Sequence, residues 1–241
     1  HYAFTCGGVD LKVTFTAPLF MEDLKLLSRP VNYLTYSVAA RDGREHEVEV
    51  YFEASPRWAL DQPYQQSASK GYEADGLLYL KSGSKEQNIL AKQGDDLRID
   101  WGYFYMVAGK ENTAYSVGNS TELRKNFVNG TLNSASLEGE DSNGNMALVR
   151  SHGKVKNVTD KIMLGYDDIY SIQYFGTNLR PYWNSKGDRT IEAEMLAAYN
   201  EYDKLLARCY AFDKKLMEDA SAAGGKEYAE LCALAYRQSI A

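Results

Sequence analysis

The chain has 241 residues, a length that predicts one large domain or two modest ones. It carries 27 Lys and Arg against 33 Asp and Glu, and the resulting net charge of −6 argues against nucleic acid or an anionic membrane surface as the main partner. With 44% hydrophobic and 25% charged residues the chain can bury a core, and no run of 18 apolar residues is present to span a membrane.

The first 187 residues have the composition and alternation of β-strands. Apolar and polar residues alternate in 11–16, and β-branched and aromatic residues are concentrated in 31–39. Residues 41–44 (RDGR) are typical of a hairpin turn, which would lead into a strand at 46–53.

The same pattern predicts several later strands. These lie at 77–81, 97–107, 147–151, 161–166 and 170–175. Residues 112–145, rich in Asn, Ser, Gly and Glu, are predicted to form loops or irregular edge strands. Many short strands separated by polar turns indicate a mainly β fold, and we expect 1–187 to form a large antiparallel β-sandwich.

The periodicity changes at Asp188 from that of strands to that of a helix. The apolar residues at steps of three and four are Ile191, Met195, Ala198, Tyr202, Leu205, Cys209, Phe212 and Leu216. Asp188 or Thr190 can cap this helix, and Gly224 and Gly225 would end it. A connector helix packed on its own chain is the favoured interpretation, and a coiled coil is the alternative.

Residues 188–241 are therefore predicted to be a connector helix followed by the start of a helical domain. The chain begins at His1 without a signal peptide and ends within an apolar-periodic segment that no Gly, Asn or Pro closes. We expect the chain to be a piece of a longer protein, with the helical domain continuing in the parent.

The sequence contains no recognisable motif for a metal, a cofactor or a nucleophile. Cys6, Cys209 and Cys232 are far apart, with no CxxC pair and no nearby His, so a zinc site is not expected. A Cys209–Cys232 disulfide remains possible. Residues 141–145 (DSNGN) resemble the start of a calcium loop but lack its later ligands, and a plain turn is favoured. No phosphate-binding loop or Ser-His-Asp pattern is present, so the catalytic residues are unknown and no cofactor is expected.

Four residues just before the long helix are the candidates for contact with a substrate. Asp167 and Asp168 are adjacent carboxylates at a predicted strand end, where a structural role in turn hydrogen bonding is the alternative. Tyr182 and Trp183 lie at the predicted domain junction, where aromatic residues either seal an interface or line a cleft.

Six blocks of sequence carry a resemblance to a known family. They are 13–18 (VTFTAP), 26–35 (LLSRPVNYLT), 50–55 (VYFEAS) with Trp58, 98–103 (RIDWGY), 165–168 (GYDD) with 171–176 (SIQYFG), and 234–239 (LAYRQS). In this order they resemble the glutaminase A-like family of secreted proteins.

The resemblance implies an N-terminal β-sandwich followed by a catalytic helical (α/α) barrel of the same protein, of which this chain would hold only the first helix. It implies a secreted or periplasmic hydrolase that converts L-glutamine to L-glutamate and ammonia, with the sandwich as an accessory part that is inactive alone. The same layout resembles several glycoside hydrolases, so a glycan substrate in the parent, or a sandwich that itself binds glycans through Trp58, Trp101 or Trp183, are the alternatives.

Overall fold

A computed structural model describes residues 1–95, 97–132 and 144–240. The strands are β1 (Tyr2–Cys6), β2 (Val9–Thr16), β3 (Val31–Ala40), β4 (His46–Ala54), β5 (Ser67–Ala74), β6 (Leu77–Ser84), β7 (Tyr103–Gly109), β8 (Thr113–Gly118), β9 (Asn145–Val155), β10 (Asn157–Asp167), β11 (Ile172–Tyr174) and β12 (Thr177–Leu179). The helices are α1 (Leu24–Ser28), α2 (Ser120–Val128) and α3 (Ile191–Ile240), with 3-10 turns at Pro56–Ala59 and Tyr182–Asn184. The predicted mainly β fold, with a large antiparallel sheet and a C-terminal helix, is confirmed.

Two sheets and one helix form three layers. The large sheet has seven antiparallel strands in the order β1-β2-β3-β10-β7-β6-β5, and the small sheet has the order β4-β9-β8. Along β7, Phe104 and Met106 face the small sheet, whereas Tyr105 and Val107 face α3. The alternation of the strands thus builds a core on each face of the large sheet.

Helix α3 buries the apolar stripe that the sequence predicts. The residues from Ile191 to Cys209 in that stripe are buried against the large sheet, and Phe212 packs beside them. The Thr190 side chain caps the helix by accepting a hydrogen bond from the backbone N–H of Ala193 at 3.2 Å. A φ of +83° at Gly225 bends α3 into two helical segments. The second segment contacts the sandwich, where the Tyr236 hydroxyl donates to the carbonyl of Leu19 at 2.8 Å.

The strand register gives the sandwich two unlike ends. The turn end has short connections, at 7–8, 41–45, 75–76, 110–112 and 156. The loop end has long connections, at 17–30, 55–66, 85–102, 119–144 and 168–190. The turn end and the loop end are the described residues of these two sets of connections.

Two of the predicted local structures are wrong. Residues 41–44 do not form a hairpin turn, because β3 pairs with β2 and β10 while β4 pairs with β9 in the other sheet. The connection crosses between the sheets, and a short turn with a positive φ at Gly43 serves either purpose. The strand predicted at 97–107 begins only at Tyr103, since Gly102 has a φ of +79° that ends the extended backbone before it.

The segment 112–145 combines a confirmed edge strand with a helix that was not predicted. β8 is the edge strand of the small sheet, and α2 follows it. Asn119 caps α2 by accepting from the backbone N–H of Thr121 at 2.9 Å, and Glu122 lies in its first turn. This cap was the available signal, but only Leu123 of α2 is buried, so the apolar pattern is too weak to predict a helix. Residues 141–143 of the calcium-like segment lie outside the described residues.

Candidate functional site

The loop end exposes large apolar side chains, whereas the turn end consists of glycine, asparagine and charged residues. The exposed apolar side chains of the loop end are Met21, Leu24, Trp58, Tyr64, Leu97, Ile99, Val128, Ile172, Tyr174, Phe175, Leu179 and Tyr182. Apolar surface concentrated in one region marks a binding or docking surface more often than isolated apolar residues do. The loop end is therefore the candidate functional surface of the chain.

A groove with a volume of about 670 Å³ lies between the strand ends of the large sheet and the two segments of α3. Its lining includes Phe15, Ala17, Leu19, Phe20, Pro30, Tyr33, Trp58, Phe104, Leu164, Tyr166, Leu206, Cys209, Tyr210, Phe212, Leu216, Ala233 and Tyr236. Trp58 is 58% exposed and its ring centre lies 5.0 Å from that of Phe104. A mostly apolar groove of this size suits a small ligand or an inserted side chain.

The groove also contains titratable side chains. Asp213 and Arg237 both line it, and burial raises the pKa of the Asp213 carboxyl. Cys209 also lines the groove, and burial raises the pKa of its thiol, which disfavours the thiolate that nucleophilic chemistry needs. Cys6, Cys209 and Cys232 are all free, so the possible Cys209–Cys232 disulfide is absent from the structure.

Asp167 lies on the α3 face of the large sheet, in a group of half-buried polar side chains. Burial, followed by the nearby Asp168 and Glu192 charges, raises its pKa against the opposing backbone hydrogen bond from Ile169 and the charge of Lys81. Lys81 lies with its ammonium 3.6 Å from the centre of the Tyr103 ring, and burial lowers its pKa. A carboxyl and an amine shifted toward neutrality are the kind of pair found at functional sites.

Lys81 was not singled out by the sequence reasoning. The available signal was a lysine on the same face of a strand as the buried Leu77 and Tyr79. Glu192 contributes to the same group, because the Tyr72 hydroxyl donates to its carboxylate at 2.6 Å. This contact ties the first turn of α3 to the edge of the large sheet.

Asp168 has different partners from Asp167. Its carboxylate accepts a hydrogen bond from the Ser171 hydroxyl at 2.6 Å, and its carbonyl accepts from the Trp101 indole at 2.8 Å. The two adjacent carboxylates therefore do not converge on one point, as expected for neighbouring residues at a strand end. Asp168 helps to fold the segment that follows β10.

Tyr182 and Trp183 are neighbours in sequence but differ in exposure. Tyr182 is exposed at the loop end, whereas Trp183 is 4% exposed in the 3-10 turn that packs against α1. Of the three tryptophans considered as a glycan platform, Trp101 and Trp183 are buried and Trp58 is exposed. That Asp167, Asp168, Tyr182 and Trp183 contact a substrate stays a prediction.

Buried ion pairs hold the connections of the loop end in place. Asp100 is 1% exposed and accepts from Lys92 at 2.7 Å and from Gln65 at 3.0 Å, which joins 85–102 to 55–66. Glu194 of α3 is 2% exposed and pairs with Arg29 and Arg189 at 3.2 and 2.5 Å. Removing one partner of such a pair is costly because it leaves a buried charge uncompensated.

The described residues contain no group of three or more His, Cys, Asp or Glu side chains arranged to hold a metal ion. None of the helices in this described part combines the length and apolar composition that crossing a membrane requires.

Fold and surface together define a class of protein: a mainly β domain of two packed sheets that carries a long C-terminal helix and one exposed apolar end. Residues 1–219 match the family described as "Domain of unknown function (DUF5127)", and the chain belongs to this family. It is also similar to Glutaminase A of Aspergillus oryzae (strain ATCC 42149 / RIB 40), with 27% identity over 250 residues. The match covers 97% of the chain and 35% of that relative, so the chain spans about a third of the relative's length.

Proposed function

We propose that the chain is the N-terminal accessory domain of a secreted or periplasmic glutaminase-like hydrolase. The parent protein would convert L-glutamine and water to L-glutamate and ammonia. The observation that carries the proposal is a similarity to Glutaminase A that covers almost the whole chain but only 35% of the relative. The larger uncovered share leaves room for a catalytic domain, which we propose to be a helical (α/α) barrel.

The surface of the chain supports an accessory role. The polar groups of the groove include the carboxyl of Asp213, the buried thiol of Cys209 and the guanidinium of Arg237. The exposed apolar side chains of the chain are concentrated on the end that carries the long connections. We propose that this loop end and the groove face the barrel in the parent protein, where the apolar side chains would be buried.

An ammonia-release assay with L-glutamine tests the proposal. The full-length parent is expected to release ammonia, and the 241-residue chain alone is expected to release none. Release by the chain alone would refute the accessory assignment. Absence of release by the full-length parent would refute the substrate.

A carbohydrate-active parent is the second candidate, because Trp58 presents an exposed ring at the groove. Aromatic rings at open grooves are suited to stacking on sugar rings. A glycan panel applied to the full-length parent distinguishes the two functions. Sugar release, with a paired-carboxylate site in the barrel, would favour the glycoside hydrolase. Binding without release, lost in Trp58→Ala, would favour a glycan-binding module.

A further inference from the structure

The hairpin of β11 and β12 carries the most exposed aromatic side chain of the loop end. Its turn consists of Phe175 and Gly176, with φ angles of +45° and +78°, which is the backbone of a two-residue type I′ turn. Phe175 is 91% exposed, and its ring lies edge-on to the Tyr174 ring with centres 4.5 Å apart. Ile172 and Leu179 on the two strands are also exposed.

The base of this hairpin is held by contacts from the sandwich. The Trp101 indole donates to the carbonyl of Tyr170 at 2.9 Å, as well as to that of Asp168. The backbone N–H of Ser171 donates to the carbonyl of Leu179 at 2.9 Å and closes the ladder. The hairpin is therefore oriented before it meets any partner, which lowers the entropy lost on binding.

An isolated two-stranded hairpin is marginally stable in water. Here all six strand residues are exposed, so neither face of the hairpin is covered by the described sandwich. The segment 172–179 (IQYFGTNL) contains no charged residue. An oriented, uncharged hairpin with an aromatic tip is suited to burial in an apolar pocket, where its exposed apolar surface would be removed from water.

We propose that the hairpin inserts its Tyr174–Phe175 tip into an apolar pocket of the rest of the parent polypeptide. This inference rests on the proposed function, in which the chain is one part of a longer hydrolase. The rest of the parent polypeptide is long enough to supply such a pocket, because the similarity to Glutaminase A covers only 35% of that protein. A flat sugar is a poorer fit, since the two rings meet at 76° and offer no common stacking plane.

Photo-crosslinking in the full-length parent tests the insertion. Phe175 is replaced by p-benzoylphenylalanine, the protein is irradiated, and the adducts are located by mass spectrometry. The expected adduct joins position 175 to a residue of the parent outside the segment corresponding to this chain. Two control positions receive the same amino acid. Arg44, exposed at the turn end, should give at least tenfold less of that adduct. Phe212, packed on Phe20, should crosslink within the chain and show that the photochemistry works.

Three outcomes would overturn the proposal. They are an adduct to a second copy of the parent, adducts confined to the segment corresponding to this chain, and no adduct at position 175 while position 212 reacts. Ammonia release from glutamine is measured on the same unirradiated protein. An adduct without ammonia release would refute glutamine as the substrate and support the insertion. Ammonia release without the adduct would support glutamine as the substrate and refute the insertion.

Discussion

The two ends of the sandwich are built from the same strands and differ in almost everything else. At the turn end, consecutive strands are joined by one to five residues, and the Asp42 carboxylate pairs locally with His46 at 2.9 Å. At the loop end the connections are long, carry exposed apolar side chains and are held by ion pairs and hydrogen bonds between distant segments. Rigid strands can thus keep one end minimal while the other end presents a binding surface.

The comparison also explains how long connections can be ordered without a large core of their own. Asp100 accepts a hydrogen bond from Gln65 of the connection 55–66. Glu194 of α3 pairs with Arg29 of 17–30 and with Arg189 of 168–190, so these segments hold one another in place. Gly102 lets the backbone of β10 approach, since a β-carbon at this position would lie 2.2 Å from the carbonyl oxygen of Asp167. Substitutions at Asp100, Glu194 or Gly102 should therefore lower the free energy of unfolding more than comparable substitutions at the turn end.

The largest effect is expected for Glu194→Ala. Removing this carboxylate takes its buried partner from Arg29, which is 14% exposed and keeps only the exposed Glu201, so the free energy of unfolding should fall by about 3 kcal/mol. Urea unfolding followed by circular dichroism measures it. Glu201→Ala is the matched control, because Glu201 also pairs with Arg29 but is exposed, and its loss should cost about 1 kcal/mol or less. Equal losses would show that burial does not set the strength of this cluster.

Two glycines with nearly the same φ allow the cost of a Gly→Ala substitution to be compared between the two ends. Gly102 at the loop end has φ +79°, and Gly76 at the turn end has φ +77°. Gly76→Ala should cost about 1–2 kcal/mol from the left-handed backbone alone, because its β-carbon meets no atom within 4 Å. Gly102→Ala should lower the free energy of unfolding by more than this, since its β-carbon would collide with the backbone carbonyl oxygen of Asp167. Thermal unfolding of the two variants measures the difference, and equal losses would contradict the close approach.

The smallest effect concerns pH and has opposite signs at the two ends. Burial raises the pKa of Asp167, so the folded state holds its proton more tightly and stability from this group falls as pH rises. Asp167→Asn should therefore unfold at a higher temperature than the wild type at pH 7, with the gain lost in acid. At the turn end, the His46 side chain and then the Arg44 backbone N–H lower the pKa of Asp42.

Asp42→Asn is accordingly expected to unfold at a lower temperature than the wild type at pH 7. That deficit should disappear as pH falls through the depressed pKa of Asp42, because the wild-type carboxylate is then protonated. Thermal unfolding of both variants between pH 3 and pH 7 provides the measurement. Parallel curves for the two variants would show that the two carboxyls do not differ in environment.

The features predicted correctly from sequence are those set by repeated burial of one face. The stripe from Ile191 to Cys209 repeats every three or four residues, so the packing of α3 follows from hydrophobic periodicity alone. Residues 41–44 were wrongly predicted to form a hairpin turn, because turn residues specify local backbone angles and not the sheet in which the next strand lies.

The candidate surface was harder to predict than the core. Asp167 and Asp168 were singled out by their spacing, but their different partners depend on the approach of 85–102 to the end of β10. The exposed tip at Phe175 was assigned to a strand at 170–175, because an aromatic pair has the same strand propensity whether it is buried or exposed. Exposure depends on tertiary packing, which the local pattern does not contain.

Hydroxyl-radical footprinting of the full-length parent tests most directly whether the loop end is an interaction surface. Oxidation of Trp58, Tyr174 and Phe175 is compared with that of Cys6, which is exposed beside the turn end. If the loop end is an interaction surface, the three aromatic side chains are protected relative to the unfolded protein while Cys6 reacts freely. Oxidation of all four at rates close to those of the unfolded protein would contradict it.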